Sequence, residues 1–300
     1  MMAVQIGLTG WGDHDSLYIP GTKAKDRLGQ YAKYYPVVEV DSSFYAIQSR
    51  ERFAKWVAET PDSLHFMIKA YQGMTGHQRG EAAAAAVLND TGQMFAAFRE
   101  SIEPVMEAGR LTAVLFQYPP WFDCTQDNVR LLRETKLRMG SIRCALEFRH
   151  QSWFMPEFRA KTLAFMKREG WIHSVCDEPQ AGVGSVPTVL QATDQELTLV
   201  RLHGRNVAGW NQSGAPNWRE VRYLYRYNSA ELREWVDHIK ELQQQSKHIC
   251  IIFNNNSGGD AADNAKELMD LLGLNCPDGE GPYFVRNEPE PPAVEQLELF

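Results

Sequence analysis

The chain has 300 residues, 44% of them hydrophobic and 23% charged, the composition of an ordinary globular protein with a sizeable core. Its net charge of −7 does not advertise nucleic-acid binding as a whole, though it leaves room for a local basic face. "MMAVQIGLTGW" at the start lacks a basic region leading into an apolar run, and no stretch approaches about 18 consecutive apolar residues, so neither a secretory signal nor a membrane span is expected.

In chain order, the first β-like run is "VQIGL" from Val4, followed by a helical stretch over 24–34 and then "VVEVD" from Val37. A helical stretch over 49–59 leads to "HFMIKA" from His65, and an alanine-rich one over 82–106 leads to "TAVLFQ" from Thr112. A helix over 126–138 precedes "CALEF" from Cys144, and one over 156–169 precedes "IHSVCD" from Ile172. "LTLVRLHG" from Leu197 comes next, then a helix over 229–245, "HICIIFN" from His248 and a last helix over 261–272. Eight strands alternating with helices in a chain of this length predict a single-domain α/β TIM (β/α)8 barrel over 1–276. A doubly wound sheet is the alternative, but "GLTGWGD" lacks the G-x-G-x-x-G spacing of its phosphate loop. The remaining 277–300 form an acidic, proline-rich tail holding −5 of the net charge, which leaves −2 on the body. Cys124, Cys144, Cys176, Cys250 and Cys276 are scattered without a C-x-x-C pair, which favours a reducing, cytoplasmic setting over a disulfide framework.

In a barrel, chemistry sits where strands end. Those ends here carry Glu39 and Asp41, Lys69, Gln117, then Glu147, Arg149 and His150 with Trp153 beyond, Asp177, Arg201 and His203, and Asn254. Two readings stand: the charges pair among themselves and close the barrel top, or they form a ligand site. In the second, Glu39, Glu147, His203 and Asp177 supply acid–base function or metal ligands. Lys69, Arg149, His150, Trp153, Arg201 and Asn254 then hold an anionic, phosphate-containing ligand. Only His150 and His203 stand at strand ends, outside any H-x-H or H-E-x-x-H pattern, so a divalent metal is a secondary option. The glycine-bearing, basic-tipped loop over 71–81 suits a lid. The loop over 205–228 interleaves Arg205, Arg219, Arg222 and Arg226 with Trp210, Trp218, Tyr223, Tyr225 and Tyr227. Such a loop either tracks a phosphate backbone and stacks bases or packs its aromatics on the barrel.

The stretches "GLTGW" (7–11), "YPVVEVDSSFY" (35–45), "FMIKAY" (66–71), "VLFQYPP" (114–120), "ALEFRHQSW" (145–153), "LVRLHG" (199–204) and "IIFNNNSGGDAADNA" (251–265) resemble the YecE-like family of TIM-barrel proteins. The resemblance implies the barrel fold and places the strand-end residues at the family's motif positions, but implies no particular reaction. "GDHDSLYIP" after the first motif departs from the family pattern. The terminal "QLELF" resembles a bacterial sliding-clamp-binding pentapeptide, with Gln296, Leu297, Leu299 and Phe300 as the partner-binding residues. Together these suggest a hydrolase acting on phosphoester bonds in nucleic acid and recruited by the DNA polymerase sliding clamp. The alternatives are a non-catalytic adaptor in DNA maintenance, or a sugar-phosphate or carboxylate enzyme whose tail packs on its own barrel.

Overall fold

The computed structural model describes residues 3–77, 91–210, 221–256 and 258–274. The β-branched runs pair as parallel strands: β1 (Ala3–Thr9), β2 (Val37–Val40), β3 (His65–Lys69), β4 (Leu111–Gln117), β5 (Cys144–Glu147), β6 (Trp171–Asp177), β7 (Leu197–Leu202) and β8 (His248–Phe253). They close in sequence order, with β8 returning to β1 from Ala3↔His248 to Leu8↔Phe253. This is the expected (β/α)8 barrel, and closure removes the doubly wound alternative.

Helices α1 (Arg50–Ala58), α2 (Thr91–Ser101), α3 (Gln126–Met139), α4 (Pro156–Glu169), α5 (Ser229–Gln243) and α6 (Asp260–Leu272) surround the strands. The start of α5 is sealed by a capping box. The Asn228 side chain accepts from the backbone of Ala230 and Glu231, and the Glu231 carboxylate accepts from the Asn228 N–H. The helix expected over 24–34 shrinks to Arg27–Tyr31 behind a 3-10 turn over Ala24–Asp26. Of the stretch expected over 82–106, residues 82–90 lie outside the described ones. The rest breaks at Ile102 into α2 and a short turn over Glu103–Glu107, because Pro104 has no N–H to continue the first helix. Between β6 and β7 no helix is found among the described residues; the loop after Asp177 covers the wall by burying Val186 and Val189.

Strand alternation separates two cores. Outward side chains such as Val38, Phe66, Phe116 and Val175 pack against the helices. Inward ones (Val37, Met67, Ala113, Leu115, Ala145, Ile172, Leu197, Leu199, Cys250 and Ile252) fill the barrel's lower part. Gly7 faces the same interior, and a Cβ there would lie 1.9 Å from the Val37 carbonyl oxygen, so β1 can approach β2 only without a side chain. One step further along each strand, the inward positions turn polar, and there the mouth begins. No helix among the described residues is long and apolar enough to cross a membrane.

Candidate functional site

Glu39 follows Val37 on β2, Glu147 follows Ala145 on β5, and Arg201 follows Leu199 on β7, so period-two geometry sends all three into the mouth. Arg201 donates through Nε and Nη2 to the two oxygens of Glu39 at 2.8 and 2.6 Å. Its Nη1 donates to both oxygens of Glu147 at 2.9 and 2.8 Å. Arg149 in turn donates through Nε to Glu147 Oε1 at 2.7 Å and through Nη1 to Glu178 Oε2 at 2.5 Å. The backbone N–H of Val186 closes the far end on Glu178 Oε1 at 2.6 Å. The result is an alternating buried chain, Glu39–Arg201–Glu147–Arg149–Glu178, with Ser174 Oγ donating to Glu147 from the side at 3.1 Å. Burial would raise the Glu147 carboxyl, but Arg149 and Arg201 hold it well below the usual carboxylate range. Burial dominates at Glu178 and pushes it up to about 7 against the pull of Arg149.

The ion chain therefore uses the arginines expected to clamp a ligand. His203 is used as well. Arg149 Nη2 lies 2.9 Å from its Nε2 and can only donate, so Nε2 accepts and the ring proton sits on Nδ1. Asn254 Nδ2 stands 2.9 Å from Nδ1, and only the amide turned the other way would present its oxygen to a proton there. Burial and the Arg149 charge keep the imidazole neutral.

Lys69 differs. It ends β3 facing inward, two residues after Met67, and its Nζ stands 4.6 Å over the Phe44 ring. No carboxylate among the described residues comes within ion-pair distance of this amine, and the side chain is only partly buried. Burial lowers its pKa, and nearby Arg201 lowers it further. Across the mouth, burial would raise the Tyr223 phenol, but Arg149, Arg222, Lys69 and Arg201 together bring it below the usual range. The Trp210 ring centroid lies 3.8 Å from Arg222 Cζ and 5.4 Å from Arg149 Cζ. Asp41, at the end of β2, is raised by burial and by Glu39.

Three expected site residues stand apart from this cluster. Asp177 follows the inward Ser174 and Cys176 by an odd step and points outward, accepting from Arg205 Nε at 3.0 Å and Trp235 Nε1 at 2.8 Å. It ties β6 to α5. His150 caps a 3-10 turn, its Nδ1 2.7 Å from Ser152 Oγ. Trp153 stacks on Phe148 at 4.1 Å and donates to the Phe122 carbonyl at 2.7 Å, inside the core between strands and helices. Glu178 and Ser174 were not among the expected site residues, whereas Asp41 was expected as a strand-end carboxylate and Tyr223 as an aromatic of the 205–228 loop. Continuing the inward period of β6 through 174, 176 and 178 would have found the first two. The tip of the expected lid from residue 78, the middle of the arginine–aromatic loop over 211–220, and the tail from 275 lie outside the described residues.

Glu147, Cys176 and His203 bring a carboxylate oxygen, a thiol and a ring nitrogen within 4.8 Å of one another, a donor set that could hold a divalent ion. It is a weak one. Glu147 already carries two guanidiniums, His203 Nε2 accepts from Arg149, and burial with two neighbouring carboxylates keeps the Cys176 thiol protonated. A dication there would sit against both arginines.

A family model described as "Protein of unknown function DUF72" matches residues 5–285. The UPF0759 protein YunF of Bacillus subtilis (strain 168) is 58% identical over 272 residues, covering 90% of this chain and 95% of that protein. A DUF72 family crystal structure from Enterococcus faecalis V583 superimposes with a TM-score of 0.84 at 35% identity, covering 91% of this chain and 96% of that one. One from Thermotoga maritima MSB8 gives a TM-score of 0.77 at 28% identity, covering 90% and 99%. These matches replace the YecE-like assignment suggested by the motifs. They also lend nothing to the clamp-binding and DNA-maintenance expectations: the family match stops at residue 285, short of Gln296, Leu297, Leu299 and Phe300, which lie outside the described residues. The chain belongs to the DUF72 family.

Proposed function

We propose that the mouth of the barrel binds a small anionic ligand carrying a phosphate or carboxylate, with Lys69 as its ion partner. The observation that carries this reading is an inward lysine with no carboxylate partner among the described residues, above a floor of arginines already neutralised by Glu39, Glu147 and Glu178. An ammonium group in such a place is costly unless a counter-ion joins it. The acidified Tyr223 phenol reports the same positive potential, and phenol and ligand anion would be drawn by the same cations. The arginines act through their locked charge rather than as a bidentate clamp.

Calorimetric titration of inorganic phosphate and of a sugar phosphate into the protein and its Lys69→Ala variant tests this. The expected result is measurable binding weakened at least about tenfold by the substitution, the scale of one charge-assisted contact. No anion binding by the unmodified protein, or equal affinity in a folded Lys69→Ala variant, removes the reading.

A further inference from the structure

We propose that Lys69 is a covalent nucleophile whose ε-amine condenses with the carbonyl carbon of a small aldehyde or ketone that also bears a carboxylate or phosphate. This rests on the anion site above and assigns its substrate class. The position suits the role: Lys69 ends β3, faces the mouth, and lies against the face of Phe44 rather than in an ion pair. A lysine serves as a Schiff-base nucleophile when desolvation and a neighbouring cation favour its free-amine form. Both are present, since burial and the fixed charge of Arg201 act on Lys69 in that direction. Arg201 cannot turn away to relieve the repulsion, because its guanidinium is held by four hydrogen bonds to Glu39 and Glu147.

The neighbours supply the proton traffic. In its phenolate form, which the surrounding cations favour, Tyr223 would take the proton that the Lys69 ammonium gives up to become the free amine. The amine nitrogen then forms a bond to the carbonyl carbon while one of its protons passes to the carbonyl oxygen, giving a carbinolamine. A proton must be given to that hydroxyl, a role we assign to Asp41, whose carboxyl burial and Glu39 raise against the opposing pull of Lys69. The carbon–oxygen bond breaks, water leaves, and a protonated imine remains on Lys69. Condensation needs no oxidant, reductant or further reactant. The protonated imine keeps the positive charge of Lys69, which together with the locked guanidiniums of Arg149 and Arg201 faces the ligand's carboxylate or phosphate.

The test treats the full-length protein with pyruvate, and separately with pyridoxal 5′-phosphate, in the presence of borohydride, which reduces an imine to a stable secondary amine. Intact mass and peptide mapping then locate the adduct. The expected result is one adduct per chain on the Lys69 peptide with at least one of the two probes, lost in a folded Lys69→Arg variant. Absence of an adduct with both probes overturns the inference, as does an adduct spread over other lysines and unchanged in Lys69→Arg. If inorganic phosphate still binds in either case, the anion site stands and only the covalent role falls. If phosphate does not bind either, both fall together.

Discussion

Arg201 makes two hydrogen bonds to Glu39 and two to Glu147, so losing it would strand the buried Glu39 carboxylate and leave Glu147 with Arg149 as its one guanidinium. Breaking one partner out of a buried ion network costs on the order of 3–5 kcal/mol, far more than an exposed pair. Arg201→Met should lower the unfolding free energy in denaturant by about that much, and a loss under about 1 kcal/mol would mean that the chain is not held by its arginines. A second effect concerns His173, which burial lowers to about 4 although its Nδ1 lies 2.8 Å from the Gln191 carbonyl. A histidine with a folded pKa below its unfolded 6.5 costs nothing above that pH and destabilises as the pH falls from 6.5 toward 4. At pH 5 the expected loss is about 2 kcal/mol. Burial raises Glu178 toward 7, which acts in the opposite sense over the same window, so the informative quantity is a difference. Between pH 7 and 5 the unmodified protein should lose about 2 kcal/mol more than His173→Asn, which keeps a donor toward Gln191 without titrating. Parallel pH curves for the two proteins would rule this out. The inward placement of Glu39, Lys69, Glu147 and Arg201 was legible from strand alternation alone. Their pairing was not, because Glu39 and Arg201 are 162 residues apart and only closure of the barrel brings them together.

At the scale of elements, the legible parts were those with a strong period. Every strand could be read from its apolar run, and α3, α4, α5 and α6 from their amphipathic spacing. The failures have local causes. Pro104 interrupts the long stretch after α2, and the chain between β6 and β7 uses a loop anchored by Glu178 and Val186 where periodicity has nothing to report. Gly7 is another such feature, since a glycine inside a strand reads only as a weak position. Here it is the condition for pairing: a Cβ would meet the Val37 carbonyl oxygen at 1.9 Å, and that oxygen is backbone and cannot swing aside. Gly7→Ala should therefore force β1 and β2 apart and destabilise by at least about 2 kcal/mol, toward the upper end of overpacking effects. An unfolding midpoint unchanged by this substitution would show that the two strands can separate without cost.

The molecule as a whole is acidic, yet its mouth is arranged around cations. Formal charge therefore works against an incoming anion at long range, and attraction must come from the few groups at the mouth. Exposed charges are screened over about 8 Å at physiological ionic strength, whereas cations set in a protein wall are screened less. Binding there should depend on the identity of the anion more than on ionic strength. A ligand that binds only the folded state also stabilises it, by about 2.7 kcal/mol at a hundredfold excess over Kd. Denaturant unfolding with phosphate, set against sodium chloride of equal ionic strength, separates the two effects. Phosphate should raise the unfolding free energy by about that amount in the unmodified protein and by little in Lys69→Ala. If chloride reproduces the whole shift, or Lys69→Ala keeps it, the stabilisation comes from general salt effects and the mouth is not an anion site. A phosphate-specific shift that depends on Lys69 would mean that an amine 80 residues from Arg149 and 132 from Arg201 in sequence, with no carboxylate partner among the described residues, completes the charge pattern of the fold.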